Sequence, residues 1–204
     1  MGQDTFKIAF IGSHGVGKTT LCYGLAARLK RLDVSLDVVH EIARRCPLAI
    51  NRETTVSAQA WILHTQIAEE LVASSLNEMV ICDRSVLDNF VYLLLAAGPQ
   101  PALEELVHTW IASYDLLIQV PIYEAPRPDG LRSTDPGFQK AVHDRLQDEL
   151  ARRQLGCLDL AGIDRDDWLD KVEKEVRDQL RPAQLDLLEP FAGLGSGQSK
   201  PPIE

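Results

Sequence analysis

The segment FIGSHGVGKTT, residues 10–20, follows a short apolar run and opens a stretch with helical spacing. It satisfies the pattern G-x-x-x-x-G-K-[ST], which is typical of a phosphate-binding loop between a strand and a helix. In such a loop, backbone N–H groups surround the phosphates, the lysine reaches the β and γ oxygens, and the threonine hydroxyl binds Mg²⁺. The predicted nucleotide-binding residues are therefore Gly12, Ser13, His14, Gly15, Val16, Gly17, Lys18, Thr19 and Thr20.

A carboxylate at the end of a buried strand is the second part that such a loop requires, because Mg²⁺ held by one hydroxyl and by phosphate oxygens usually takes one nearby. The apolar residues 79–82 predict a strand, and Asp83 follows them directly. An unpaired charge is costly to bury, so Asp83 should lie at the exposed carboxyl end, where doubly wound sheets bind ligands. We predict Thr19 and Asp83 as metal ligands; a helix N-cap is the alternative for Asp83.

Strand and helix patterns alternate along the chain, which predicts an α/β fold with a doubly wound parallel sheet of about five strands. The strand patterns cover residues 7–11, 36–39, 79–82, 116–120 and 157–161. The helix patterns cover residues 18–32, 56–76, 85–97, 103–111, 138–155 and 168–180.

The length of 204 residues fits one domain of this kind and excludes a second of similar size. We predict one domain over residues 1–192 and a disordered tail over residues 193–204, which has no core pattern. A charged loop rich in Pro and Gly, followed by a helix, lies between the last two strands and predicts a lid over about residues 123–155.

Charge and composition restrict the partners and the location. A net charge of −9 and a pI near 5.0 disfavour a long nucleic acid, which needs a broad basic surface. The four cysteines have no CxxC pair, so the sequence predicts free thiols rather than a zinc site or a disulfide framework. Because no apolar run approaches the ~20 residues that span a bilayer, we expect no membrane association and a cytoplasmic location.

Two other uses of a phosphate-binding loop fit less well. A GTP switch needs a guanine-reading N/T-K-x-D element, which does not occur, and the D-x-x-G match at residues 159–162 lies on the last strand. A motor of the AAA type normally needs a further helical domain, whereas only one long helix pattern and a tail follow Gly162. Kinase activity would give Glu41 a role. This residue comes at the end of the second strand pattern, in VVHEIARR, residues 38–45, and could accept a hydroxyl proton during attack on the γ-phosphate.

Four segments together resemble a known family: GSHGVGKTT, HEIAR, DRS at residues 83–85 and DGLR at residues 129–132. They are similar to the P-loop small-molecule kinases and AAA-type NTPases, most closely the ribosylnicotinamide kinase domain, with a more distant likeness to deoxynucleoside and thymidylate kinases. The resemblance covers about residues 5–180. It implies that Glu41 is the base or holds the acceptor hydroxyl, that Arg44 and Arg84 contact the acceptor, and that Arg132 in the lid steadies the transferring phosphoryl group. It also implies that Gly162 lies beside the adenine, although a strand-ending turn explains this glycine equally well.

Asp88 and Tyr92 follow Arg84 at helical spacing and could point into an acceptor pocket, although an aromatic at such spacing is more often core. The alternative for the arginines is solvated surface charge. The predicted substrate-binding residues are Glu41, Arg44, Arg84, Asp88 and Tyr92, and the predicted catalytic residues are Lys18, Glu41, Asp83 and Arg132.

The sequence therefore predicts a kinase with ATP and Mg²⁺ as cofactors. It would transfer the γ-phosphate to a small nucleoside-like acceptor or to a related hydroxyl- or phosphate-bearing one. The alternatives are a regulatory NTPase that acts through a protein partner and a polynucleotide 5′-kinase. Homodimer formation, the phosphorylation state of the acceptor and the choice of Glu41 or Asp83 as the base stay open.

Overall fold

Five parallel strands form the centre of the computed structural model, which describes residues 5–50, 54–125 and 134–180. Their order across the sheet is β2-β3-β1-β4-β5. The bounds are β1 Phe6–Ile11, β2 Leu36–Val39, β3 Met79–Asp83, β4 Leu116–Gln119 and β5 Leu158–Asp159. The central strands read as continuous apolar runs because helices cover both faces of the sheet.

Six helices are described: α1 Lys18–Lys30, α2 Val56–Leu76, α3 Val86–Ala97, α4 Pro101–Ile111, α5 Pro136–Arg153 and α6 Trp168–Gln179. One face of the sheet packs on α1 and α6, which contribute Leu25, Leu29, Val172 and Val176 to the core. The other face packs on α2, α3, α4 and α5. The predicted α/β fold with a parallel sheet is therefore confirmed, and none of the described helices is long and apolar enough to span a membrane.

The strand order creates a switch point beside β1. The chain leaves β1 in the direction of β2, whereas it leaves β3 in the opposite direction, toward β4. Ligands of doubly wound sheets bind outside the carboxyl ends of the strands at such a point. The predicted phosphate-binding loop connects β1 to α1, so the fold places it in this crevice.

The part of the predicted lid that the structure describes is divided between loop and core. Helix α5 begins at Pro136, after the N-cap Asp135, and its Val142, Leu146 and Leu150 are buried against the sheet-covering helices. Residues 126–133 and the predicted tail lie outside the described residues. Helix α5 therefore belongs to the core, and a lid over the preceding loop stays a prediction.

Candidate active site

The phosphate-binding loop leaves β1 at Gly12 in a conformation that requires glycine. Its φ is +143°, and a Cβ atom at this position would lie 2.6 Å from the backbone oxygen of Val120. At the other end of the loop, Lys18 folds back so that its Nζ donates hydrogen bonds to the backbone oxygens of Gly12, at 2.7 Å, and Ser13, at 2.6 Å. The lysine is therefore held over the loop itself.

The ammonium group of Lys18 lies in an environment that weakens its hold on a proton. Burial, followed by the nearby charge of Arg84, lowers the pKa of Lys18 from 10.5 to about 7, although Asp88, Asp83 and Glu41 oppose this shift. A phosphate anion in the loop would favour the charged form and raise the pKa again.

The remaining loop residues divide into buried and exposed positions. Ser13 is buried, and its Oγ has no hydrogen-bond partner among the described residues. Val16 is buried in the core that α1 and α6 share, so its side chain packs rather than faces a ligand. Thr20 is exposed on α1, and Gly15 and Gly17 both have positive φ.

The two predicted metal ligands meet at the carboxyl end of β3. The hydroxyl of Thr19 donates to Asp83 Oδ2 at 2.5 Å, although the residues are 64 positions apart. Asp83 is the last residue of β3 and is 3% exposed. A hydroxyl beside a carboxylate offers the hard oxygen atoms that Mg²⁺ prefers, so these two residues fit the predicted ion.

A buried ion pair joins the ends of β2 and β3. Glu41 Oε1 accepts a hydrogen bond from Arg84 Nε at 2.9 Å, and both side chains are 4% exposed. Glu41 Oε2 accepts from Arg44 Nε, also at 2.9 Å, but Arg44 is 43% exposed. Buried Nη1 of Arg84 has no hydrogen-bond partner among the described residues. Because an unsatisfied buried donor is costly, this atom is a candidate ligand contact.

An aromatic group lies beside this ion pair. The guanidinium of Arg84 is 5.1 Å from the ring centre of Tyr92, and the hydroxyl of Tyr92 is 3.0 Å from His14 Nδ1. The ring of Phe138 on α5 packs against both His14, at 5.7 Å, and Tyr92, at 6.0 Å. Tyr92 therefore adjoins Arg84, and its contact with an acceptor stays a prediction. The side chain of His14 connects the phosphate-binding loop to α3 and α5.

Asp88 has a different role from the predicted acceptor contact. Its Oδ1 accepts from the backbone N–H of Gly12 at 2.9 Å, and its Oδ2 accepts from the N–H and hydroxyl of Ser85, at 3.0 and 2.8 Å. Ser85 is the N-cap of α3, so Asp88 completes a capping box. With both oxygens engaged inside the protein, Asp88 clamps the start of the phosphate-binding loop to the turn after β3.

Arg165 lies next to the phosphate-binding loop and was missed by sequence reasoning. Its Nη2 would be 3.8 Å from a Cβ atom at Gly17, and its guanidinium pairs with Glu124 at 3.2 Å and lies 5.4 Å from the ring centre of Tyr123. No motif marks Arg165. The only signal in the sequence is that this arginine comes shortly after the last strand, and the carboxyl ends of the strands form the edge at which doubly wound sheets bind ligands. Gly162 precedes it in a turn with φ +77°, and Arg132 lies outside the described residues.

Comparison with protein-family models matches residues 7–168 to the AAA domain. The chain belongs to this family. The solved structures with a similar fold include NadR protein in complex with NR, with a TM-score of 0.65 and 21% identity over 83% of this chain and 51% of that chain. Deoxyadenosine kinase from M. mycoides with bound dATP has a TM-score of 0.60 and 15% identity over 84% of this chain and 98% of that chain. Thymidylate kinase from Ehrlichia chaffeensis has a TM-score of 0.59 and 18% identity over 87% and 99% of the two chains.

The family match confirms the AAA-type NTPase part of the predicted resemblance, and the solved structures confirm the predicted fold. The chain spans about half the length of the NadR protein. Comparison with curated protein sequences gives no match.

Replacing Asp88 with Asn tests its role as a clamp. The Asn amide would direct an N–H group at the Ser85 donors, so we expect the free energy of unfolding to fall by about 1–3 kcal/mol and the affinity for nucleotide to fall with it. Urea unfolding and nucleotide titration measure both effects. Asp148→Asn, exposed on α5, is the matched control. An unchanged free energy of unfolding for Asp88→Asn would contradict the role as a clamp and favour a contact between Asp88 and the acceptor.

The lowered pKa of Lys18 predicts proton uptake on nucleotide binding. At pH 6 the unliganded lysine is already charged, whereas at pH 8 it is largely neutral and must gain a proton when phosphates bind. Calorimetric titration with Mg-ATP at pH 8, in buffers of different ionisation enthalpy, should give a net uptake that is absent at pH 6. Lys18→Arg keeps a permanent charge and should show no uptake at either pH. Equal uptake by both proteins at pH 8 would contradict the assignment to Lys18.

Proposed function

We propose that the chain is an ATP- and Mg²⁺-dependent kinase that transfers the γ-phosphate to a small nucleoside-like acceptor. The observation that carries the proposal is the arrangement around Lys18. Asp83, which binds Thr19, ends β3, and the buried ion pair of Glu41 and Arg84 follows the neighbouring strands β2 and β3. Both pairs therefore lie at one edge of the sheet. The charges of Asp83, Glu41 and Arg84 all act on the Lys18 ammonium group, so the lysine and both pairs belong to one buried site.

The loop fits a polyphosphate because its two buried side-chain donors bind either neutral backbone oxygens or no partner among the described residues. Lys18 binds the backbone oxygens of its own loop, and Ser13 Oγ has no partner among the described residues. With phosphate present, the ammonium group can exchange those carbonyls for charged oxygens, which make stronger hydrogen bonds. Thr19 and Asp83 would hold Mg²⁺, which in such sites bridges the β and γ oxygens and offsets their charge.

Arg84 is suited to contact the transferring group or the acceptor. Its Nε is fixed by Glu41, and its Nη1 stays available as a buried donor. Burial opposes the charge of Arg84 and lowers its pKa. The phenol of Tyr92 and the nearby carboxylates outweigh this effect and hold the pKa of Arg84 above its ordinary value. A permanent planar cation of this kind stabilises the equatorial oxygens of a phosphoryl group during transfer.

Glu41 is better placed to hold an acceptor hydroxyl than to act as a strong base. Two guanidinium groups already donate to its oxygens, so Glu41 is arranged to orient a hydroxyl together with these cations rather than to act alone as a base. Arg44 is half-exposed and can leave Oε2 to an acceptor hydroxyl. Because the transition state of phosphoryl transfer is loose, a carboxylate that orients the hydroxyl and takes its proton late is sufficient.

The nucleoside-like acceptor is inferred from the solved structures with the same fold. One holds NR, one is named a deoxyadenosine kinase and one a thymidylate kinase. A contact from Arg132, a small-molecule partner and a cytoplasmic location are part of this proposal.

The proposal is tested by incubating the purified chain with Mg²⁺ and ATP, alone and with a panel of nucleosides, ribosylnicotinamide, nucleotides and a 5′-hydroxyl oligonucleotide. We expect one class of small acceptor to gain a phosphate, with one ADP formed for each product molecule, as measured by mass spectrometry. Steady hydrolysis that is indifferent to every acceptor would overturn the kinase and favour a regulatory NTPase.

Glu41→Gln separates transfer from nucleotide binding. The amide keeps the shape of Glu41 but loses its charge and its ability to take a proton, so we expect transfer to slow by ~100-fold or more. The affinity for Mg-ATP should stay within about twofold, since Glu41 binds Arg44 and Arg84, whereas the predicted metal ligands Thr19 and Asp83 bind each other. Glu69→Gln, which removes a surface partner of Arg45, is the control. A loss confined to nucleotide affinity would place Glu41 at the metal ion instead.

A further inference from the structure

The backbone of Arg84 is in a conformation that residues other than glycine rarely adopt. Its φ is +107°, whereas the other two described non-glycine residues with positive φ, Asp33 and Gln154, have values of 59° and 54° in the usual left-handed region. Such a conformation is costly and persists only when the surrounding structure holds it. The contacts of the turn after β3 must therefore hold Arg84 in place.

Two side chains bind the backbone at this residue and directly after it. Gln66 on α2 donates from Nε2 to the carbonyl oxygen of Arg84 at 3.2 Å. The N–H of Val86 donates to the hydroxyl of Tyr114, which follows α4, at 3.0 Å. The turn is thus anchored from two elements that are distant in sequence.

Both anchors meet on one buried carboxylate. Glu70 Oε1 accepts from Gln66 Nε2 at 2.8 Å and from the hydroxyl of Tyr114 at 2.6 Å. Glu70 Oε2 accepts from Trp110 Nε1 at 2.7 Å and from Lys7 Nζ at 3.2 Å. Glu70 is fully buried, so each of these bonds forms without competing water.

Glu70 also determines how Tyr114 binds the turn. Burial and the neighbouring Glu70 raise the pKa of Tyr114 well above its ordinary value, so the hydroxyl keeps its single hydrogen. That hydrogen is donated to Glu70, which leaves an oxygen lone pair for the N–H of Val86. Without the carboxylate, the hydroxyl would be free to turn away.

We propose that Glu70 is a positioning residue for Arg84: by fixing Gln66 and Tyr114, it holds the turn that aims the Arg84 guanidinium at Glu41. The effect on phosphoryl transfer rests on the proposed function. The effect on the geometry of Arg84 does not, because the contacts are present in the unliganded chain.

Two aromatic substitutions distinguish positioning from general packing. Tyr114→Phe and Trp110→Phe each remove one hydrogen bond to Glu70, but only Tyr114 also binds the backbone of the turn. The probe is the ¹H–¹⁵N signal of the Arg84 Nε–H group in the unliganded protein, identified by its loss in Arg84→Lys. We expect Tyr114→Phe to shift this signal and to speed its hydrogen exchange by about tenfold, while Trp110→Phe leaves both unchanged.

Gln66→Met provides a second variant, since it keeps the length of the side chain and removes the donor to Arg84, and the same shift is expected. An unchanged signal in Tyr114→Phe and Gln66→Met would overturn the proposal. Equal changes in Tyr114→Phe and Trp110→Phe would also overturn it, because they indicate packing alone.

The transfer assay gives an independent measure of the same geometry. Tyr114→Phe should raise the KM for the acceptor by about tenfold and leave the KM for ATP unchanged, and an unchanged acceptor KM would contradict the proposal. If the unaltered chain phosphorylates no acceptor, the proposed function fails, and the signal of Arg84 still decides whether Glu70 positions it.

Discussion

The parallel pairing of β1 with β3 is the constraint on which the site depends. In this register Phe10 lies opposite Asp83, so the strand that leads into the phosphate-binding loop ends beside the strand that carries the acidic residue. Thr19 lies in the first turn of α1, directly after the loop, and reaches Asp83 across this edge. A shift of one residue would turn Asp83 to the other face of the sheet and separate it from Thr19.

The electrostatics of the site differ from those of the chain as a whole. The chain carries a net charge of −9, yet the buried edge holds Lys18 and Arg84 close together. Asp83, Asp88 and Glu41 balance these cations, and Asp88 and Glu41 are already engaged by backbone donors and arginines. A ligand that brings both phosphate and a divalent cation would satisfy Lys18, Asp83 and the open donor of Arg84 together. On the proposed function, this charge pattern lets an acidic protein hold a polyphosphate.

Sequence reasoning succeeded where a pattern is local. The connection from β1 to α1, the buried strands and the place of Asp83 at the end of β3 follow from contiguous residues. Strands covered on both faces read as unbroken apolar runs. The sequence prediction assigned α5 to a lid because this segment is charged, whereas three buried apolar residues on one side of the helix join it to the core. It placed Asp88 at the acceptor because helical spacing cannot tell a clamp on Gly12, 76 positions away, from a pocket residue. The hydrogen-bond network around Glu70 was missed for the same reason, since its members lie up to 63 positions from Glu70 in the sequence.

A crystal structure with Mg²⁺ and a nonhydrolysable ATP analogue would test this account most directly, because it locates the phosphates relative to both ion and acceptor groups. We predict that Lys18 Nζ leaves the backbone oxygens of Gly12 and Ser13 for phosphate oxygens, that Thr19 and Asp83 lie at the ion, and that the γ-phosphate faces the pair of Glu41 and Arg84. An analogue bound elsewhere, with Lys18 still on its own loop, would contradict the account.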